Sequence, residues 1–248
     1  MTEGIKKIFA EVAPTYELVN HVLTFGLDVI WRKRAARIAS RKGGSRWLDV
    51  CSGTGEMARE LSRLAPAGAT LTAVDFSWPM LRRSSNKARR FHFHPAAARL
   101  PRLPFADGTF DLVTISFATR NINTNRKALL ACFREFHRVL RPVGLFVNLE
   151  TSQPADPFIR KLFHLYIRTT VKAIGRMISG SRAGYIYLAS TIPRFYDAPA
   201  SAELLHEAGF GPVSFKRSLF GAATVHLAVK PPENLRYRLK LFYDILSL

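Results

Sequence analysis

The stretch Arg46-Trp47-Leu48-Asp49-Val50-Cys51-Ser52-Gly53-Thr54-Gly55-Glu56 decides how this chain folds. Trp47 to Val50 is a short apolar run of the kind a strand buried on both faces needs. Two glycines one residue apart then make a tight turn, and Met57, Leu61 and Leu64 recur at helical spacing beyond it. Strand, glycine turn and helix, in that order, build a nucleotide site. A second apolar run, 69–76, reaches an acid, Asp75, about twenty residues past the last glycine, where a carboxylate can hold a ribose diol.

Glycine lets the backbone approach a ligand where a β-carbon would collide, and positive φ costs it little. The dinucleotide fingerprint carries a third glycine that packs helix on strand beneath a pyrophosphate. Here bulkier residues fill that position, and an acid, Asp49, precedes the turn. A carboxylate there repels a diphosphate but suits a ligand with positive charge, an ammonium or a sulfonium. S-adenosylmethionine carries both. Two plainer readings stay open at this point: a tight turn that holds no ligand, and Asp49 as a buried acid that only braces the turn.

Outward from this stretch, strands and helices alternate, which predicts an α/β fold with a mostly parallel sheet and helices on both faces. Strands are expected at 46–50, 69–76, 91–93, 110–117 and 145–150. Ser77 is placed to cap the helix after the second strand, with Pro79 in its first turn where a missing N–H does no harm. Leu129, Phe133, Phe136 and Leu140 share one face of a helix over 126–140, and such a stripe is core rather than a cofactor box. A helical insertion is expected at about 152–200, with helices over 158–178 and 184–195, and a further helix over 201–208. Strands 212–219 and 223–229, joined through Gly221, read as an antiparallel hairpin that completes seven strands. Ahead of this 45–230 domain, residues 1–44 form a helical lid in which Asp28 is placed as an N-cap. The tail, 231–248, is basic and amphipathic, with Leu235, Leu239, Phe242 and Leu246 on one stripe.

The 248 residues, 48% of them hydrophobic, suffice for one domain with a buried core. No apolar run is long enough to span a bilayer and no signal-peptide core opens the chain, so a cytoplasmic protein is expected. Cys51 and Cys132 lie in different contexts, without a second cysteine or histidine at ligand spacing, so neither a disulfide framework nor a metal is expected. Lys and Arg number 37 against 18 acids, a formal net charge of +19, which draws a protein toward polyanions. No nucleic-acid-binding motif accompanies the charge, so no specific nucleic acid is expected and the anionic face of a membrane is the partner it favours. A merely solvated basic surface is the alternative.

With these pieces placed, the chain resembles the ubiquinone and menaquinone biosynthesis C-methyltransferases over roughly residues 8 to 229. The resemblance rests on Ile8-Phe9-Ala10-Glu11-Val12-Ala13-Pro14-Thr15-Tyr16-Glu17-Leu18-Val19-Asn20, on Leu23-Thr24-Phe25-Gly26 with Trp31-Arg32, and on Leu103-Pro104-Phe105-Ala106-Asp107-Gly108-Thr109-Phe110-Asp111. Thr114-Ile115-Ser116-Phe117-Ala118-Thr119-Arg120-Asn121 carries it furthest, because the Arg-Asn pair there is a family feature; Gly184-Tyr185-Ile186-Tyr187-Leu188-Ala189-Ser190-Thr191-Ile192 resembles its substrate-side helix. The resemblance implies a Rossmann-like class I methyltransferase fold and methyl transfer from S-adenosylmethionine to a ring carbon of a polyprenylated quinol, at the demethylmenaquinol or polyprenyl-benzoquinol step. It implies that Arg120, with Asn121, serves the reaction by stabilising a phenolate or positioning a water. Asp49, Gly53, Thr54 and Gly55 would line the methionine end of the cofactor. Asp75 would take the ribose, Phe76 would flank adenine, and Ser116 would face the ligand. Tyr16, Asn20, Tyr185 and Tyr187 would orient the quinol.

Where the family usually has an acid or amide before the loop, this chain has Ala97-Ala98-Arg99-Leu100, which leaves adenine to backbone groups. Glu17 and His21 stand in place of aspartates, and Thr151 in place of a phenylalanine. Two other readings follow from the residues: a methyltransferase of the same fold acting on RNA or another small molecule, and a non-catalytic protein that binds the cofactor. Transient membrane contact and a homodimer complete the expectations.

Overall fold

A computed structural model of the chain describes residues 11, 13–171 and 189–232, apart from the side chain of Tyr16. The expectations for Tyr185, Tyr187 and the tail beyond 232 lie outside the described residues, as do residues 172–178 of the first insertion helix and 184–188 of the second.

The most apolar runs in the sequence form the middle of the sheet. Trp47, Leu48 and Val50 are buried, as are Leu112, Val113 and Ile115, so β1 (Arg46–Val50) and β4 (Phe110–Ser116) pair in parallel with both faces covered. Around them lie β2 (Thr70–Asp75), β3 (His94–Ala97), β5 (Leu140–Thr151), β6 (Val213–Ser218) and β7 (Ala223–Val229), in the order β3-β2-β1-β4-β5-β7-β6. All pairs are parallel except those of β7, which runs antiparallel to β5 and β6. The chain reverses its direction of winding between β1 and β4. In open α/β sheets ligands bind at the carboxyl ends of strands at such a switch point.

The helices are α1 (Tyr16–Leu23), α2 (Leu27–Ser40), α3 (Glu56–Ser62), α4 (Trp78–Phe91), α5 (Thr119–Ile122), α6 (Arg126–Val139), α7 (Pro157–Tyr166) and α8 (Ala198–Glu207). On one face Trp31, Ala35 and Ile38 of α2 pack with Met57 and Leu61 of α3 against Leu71, Leu112 and Val147. On the other, Leu129, Phe133 and Phe136 of α6 pack with Leu204 and Leu205 of α8 against Leu48, Val113 and Phe146. The aromatic stripe of α6 is core, as its spacing requires: Phe136 and Phe146 lie 5.3 Å apart by ring centre. In α7, by contrast, no residue is buried, and Phe158, Leu162 and Leu165 face outward.

Three local expectations are corrected. The third strand is not 91–93: Phe91 ends α4, His92 turns through a left-handed φ of 51°, and the strand is His94–Ala97. Pro95 concealed it, yet an edge strand tolerates a proline because one of its sides needs no donor. Asp28 is not an N-cap; Gly26, at φ 76°, holds that position and Asp28 is turned inward. Strand five begins at Leu140, directly after α6, because Val143 at φ 65° lets the chain bulge between the pairs Phe110–Leu140 and Leu112–Leu145.

The start of β1 is held by Asp111 on β4. Its carboxylate accepts from the backbone N–H of Ser45 and of Arg46, both at 2.9 Å, and from Arg141 at 2.8 Å. A β-carbon on Gly44 would lie 2.5 Å from the Asp111 side chain, so only glycine permits this approach. These bonds hold the Asp111 carboxyl below its ordinary value, so their stabilisation is present above about pH 4 and is lost as pH falls further. Asp111→Ala is expected to cost about 2 kcal/mol at neutral pH, measured by denaturant unfolding, with the deficit shrinking below about pH 4.

Candidate functional site

At the carboxyl ends of β1, β2 and β4 the backbone makes a sharp turn. Cys51 has φ 52°, Gly53 φ 56° and Gly55 φ 83°. The two glycines serve different ends. At Gly53 a β-carbon would meet nothing within 4 Å, so its bare backbone faces open space. At Gly55 a β-carbon would meet Ser84 Oγ at 2.7 Å and Phe93 at 3.0 Å, so its bareness lets α4 and the approach to β3 close on the turn. Asp75 ties the turn to α4: Oδ2 accepts from Gly53 N–H at 2.8 Å and Oδ1 from Ser77 N–H at 2.9 Å. Ser77 sits at the N-cap of α4 as expected, but its buried Oγ has no partner.

A narrow cleft of about 50 Å³ opens against this turn. Of the residues expected to hold the cofactor, Gly53, Thr54, Asp75, Phe76 and Ser116 line it, and Asn121 joins them. Beyond Asp75 and Phe76 a small recess continues between Val50, Val74, Ala98 and Leu100. Apart from Asp75 and Cys51 its walls are apolar, and residues 97–100 bring no acid to it. Gly55 and Asp49 line neither space. Asp49 is wholly buried, with Oδ1 accepting from Thr114 Oγ1 at 2.7 Å and Oδ2 unpartnered. Burial pushes its carboxyl up from the ordinary 3.8 to about 7, against the opposing pull of the Thr114 hydrogen bond and the Arg32 guanidinium. Desolvation, with the neighbouring Asp75 carboxylate, likewise pushes the Cys51 thiol well above its ordinary range.

A second, larger cavity of about 350 Å³ lies beside the cleft. Its lining is mostly apolar and comes from α1, α2, α7 and the tip of the β6–β7 hairpin. Asn20 and Arg120 line it, so the neighbours Arg120 and Asn121 face different spaces. Arg120 is buried by its partners. Its N–H and Nη1 donate to Glu150 at 3.0 and 3.3 Å, Nη1 also to Thr151 at 3.1 Å, and Nε to Thr191 at 3.2 Å. Thr151, where the resemblance has a phenylalanine, is thus an Arg120 partner.

Sequence reasoning passed over Arg32, which lines both spaces. It is buried, donates to Asp28 at 2.5 Å and lies 5.0 Å from the centre of the Phe117 ring. Asp28 in turn accepts from Thr24 Oγ1 at 2.9 Å and pairs with His21 at 2.8 Å. An acid four residues before the arginine, Asp28, was the available signal. Glu56, also in the cleft wall, pairs with Lys87, whose Nζ reaches Glu17 on α1 and the Thr54 carbonyl.

The sheet order, the antiparallel last pair and a cleft at the glycine turn define a class I methyltransferase that uses S-adenosylmethionine. A solved methyltransferase from Aquifex aeolicus shares this fold with a TM-score of 0.54 at 16% identity, over 76% of this chain and 83% of that one. The sequence model of the ubiE/COQ5 methyltransferase family matches residues 1–230, and the chain belongs to that family. It is 37% identical over 226 residues to the demethylmenaquinone methyltransferase of Thermus thermophilus, spanning 90% of this chain and 100% of that protein. It is 34% identical to the ubiquinone/menaquinone biosynthesis C-methyltransferase UbiE of Desulfotalea psychrophila, over 92% and 90% of the two chains.

The polar groups fit the cofactor. Asp75, a carboxylate on the cleft wall braced by backbone N–H groups, is an acceptor of the kind a ribose hydroxyl needs. Ser52 Oγ and Arg32 Nε are buried without partners on the cleft wall, and Asp49 Oδ2 is unpartnered behind it. Among the described residues no cluster of three or more metal-ligating side chains occurs.

Asp49 makes the site pH-sensitive in two senses. Between about pH 4 and pH 7 the unfolded chain has lost this proton while the folded chain keeps it, so its contribution to stability falls as pH rises. An ionised Asp49 also attracts a cationic ligand. S-adenosylhomocysteine, with its ammonium, is therefore expected to bind more tightly at pH 8 than at pH 6. Asp49→Asn should flatten that profile in calorimetry and remove the associated decline in melting temperature.

Proposed function

We propose that this enzyme methylates a ring carbon of a polyprenylated quinol, with Arg120 stabilising the phenolate oxygen. The observation that carries the reading is the placement of Arg120: a buried guanidinium in the wall of a large apolar cavity, next in sequence to a residue of the cofactor cleft. Names of relatives at 37% and 34% identity point to the same substrate class.

Bound S-adenosylmethionine supplies an electrophilic methyl group on a sulfonium. The chain's own task is to make an aromatic carbon nucleophilic and aim it. A deprotonated ring hydroxyl raises electron density on the carbon beside it. An arginine guanidinium is a poor base but a good partner for that oxygen, and Arg120 would fill that role. Glu150 and Thr191 lock its guanidinium in one orientation, so no reorganisation is needed as charge develops. Asn121, one residue on, would orient ligand on the cleft side, and Asn20, with Tyr16 and the tyrosines of 184–192, on the quinol side. Gly53, Thr54 and Ser116 would contact the methionine portion, and Asp75 the ribose. Phe76 would flank adenine in the apolar recess. In this reading α1 and α2 are the lid over both spaces.

The apolar cavity opens through a rim that suits a lipid-borne substrate. Phe25, Leu162, Leu219 and Phe220 line it while remaining 80%, 51%, 50% and 74% exposed. Phe220 holds φ 54° at the hairpin tip, where glycine or asparagine would be the relaxed choice. With the net charge of +19, this rim favours an anionic bilayer as the surface from which the quinol enters. No helix among the described residues is long and apolar enough to cross a membrane.

The test is transfer of labelled methyl to demethylmenaquinol in detergent; no label in the quinone fraction, with S-adenosylhomocysteine binding intact, overturns the reading. Arg120→Gln is expected to lower kcat by about 10²- to 10³-fold while leaving cofactor binding within a few-fold. For the membrane, Phe158→Ser with Leu165→Ser, exposed residues that do not line the cavity, should reduce co-sedimentation with anionic vesicles severalfold.

A further inference from the structure

We infer that Arg32 is the anchor for the α-carboxylate of the cofactor's methionine end. The inference rests on the cofactor, not on the quinol. The methionine end carries one ammonium and one carboxylate, and the cleft's own charges sort themselves against that pair. Among the described residues lining the cleft, the acids are Glu56 and Asp75, and Arg32 is the sole cation. Arg120, the other buried guanidinium of the site, faces the larger cavity instead.

The acids have other engagements. Asp75 braces Gly53 and Ser77 through their N–H groups, and Glu56 pairs with Lys87 and Arg59. Arg32 has donors to spare: a guanidinium offers five N–H groups. Nη1 goes to Asp28, while Nε is buried and has no protein partner. An unpaired N–H on a charged group, 5% exposed and on the wall of a ligand cleft, is costly unless a ligand completes it.

Its setting also holds the fork still. Asp28 grips one side, with His21 and Thr24 behind that carboxylate, and the Phe117 ring lies beneath the guanidinium carbon. Phe117 reaches that place from a left-handed φ of 53°, a conformation a bulky residue rarely adopts. Strain of this kind persists where the surroundings require the side chain. Because Arg32 is wall to both spaces, anchoring the carboxylate also fixes one boundary of the quinol cavity.

The test separates the carboxylate from the rest of the ligand. Calorimetry of the full chain with S-adenosylhomocysteine, and with its decarboxylated analogue, reads the anchor directly. Wild type is expected to prefer the intact ligand by about tenfold to a hundredfold, the loss typical of a charge-assisted pair. Arg32→Gln should bind the two ligands alike, with the decarboxylated one held about as well as by wild type. Arg32→Lys, which keeps the charge and loses the planar fork, should show a smaller preference than wild type. The inference is overturned if wild type does not discriminate, or if either variant discriminates as wild type does. It is equally overturned if Arg32→Gln leaves cofactor affinity unchanged and raises only the KM for quinol. A protein that discriminates between the two ligands yet methylates no quinol would sink the substrate reading and leave this one standing.

Discussion

The carboxylate of Asp75 is the constraint on which the site depends. It stands at the end of β2 and accepts one N–H from the turn after β1 and another from the start of α4. Two strand-to-helix turns are therefore held by a single buried acid. Burial pushes its carboxyl up, and backbone bonds from Ser77, Gly53 and Phe76 oppose that rise. The acid that organises the turns also lines the cleft, so the group that shapes the proposed cofactor site would be within its reach. Gly53 donates its N–H to Asp75 and turns the bare face of its α-carbon to open space, and Gly55 lets Ser84 and Phe93 close behind it. The glycine turn is thus shaped from two sides, one for the ligand and one for packing.

Two buried guanidinium–carboxylate pairs stand on either side of that turn. Asp28 holds Arg32, and Glu150 holds Arg120. Buried ion pairs add little net stability, because removing both charges from water roughly offsets their attraction. Their value here is orientation. Glu150 lines neither space and Asp28 only the larger cavity, while each arginine stands on a cavity wall in a fixed orientation, where anionic groups of cofactor and substrate are expected. The helices ahead of β1 are tied in by the same means: Lys87 links Glu17 on α1 to Glu56 and to the carbonyl of Thr54.

Much of this was legible before any coordinates. Buried parallel strands announce themselves as unbroken apolar runs, and β1 and β4 were readable nearly to the residue. The aromatic stripe of α6 and the final hairpin followed from their periods of repeat. What was hidden depended on exceptions to local rules. Pro95 masked an edge strand, and Val143 in a left-handed conformation masked the early start of β5. Asp28 looked like a helix cap because aspartate is good at that task, and only tertiary packing shows it turned inward. The glycine turn, Asp75 and the Arg120–Asn121 pair could be placed by sequence. Which space each faces could not, since adjacent residues on the short helix α5 point different ways.

That divergence explains how one small helix can serve a two-ligand reaction. A methyl donor and a carbon nucleophile must meet in line, and they differ in solvent preference: one is polar and charged, the other carries a hydrocarbon tail. A single shared hollow would have to suit both. Here the polar cleft is built from strand ends and backbone donors, and the apolar cavity from helices and a hairpin tip. The division runs through Arg120–Asn121 on one side and Arg32 on the other. The partition between the two spaces is therefore made of the groups that both ligands would touch, and the requirement for in-line approach falls on side chains already fixed by buried acids.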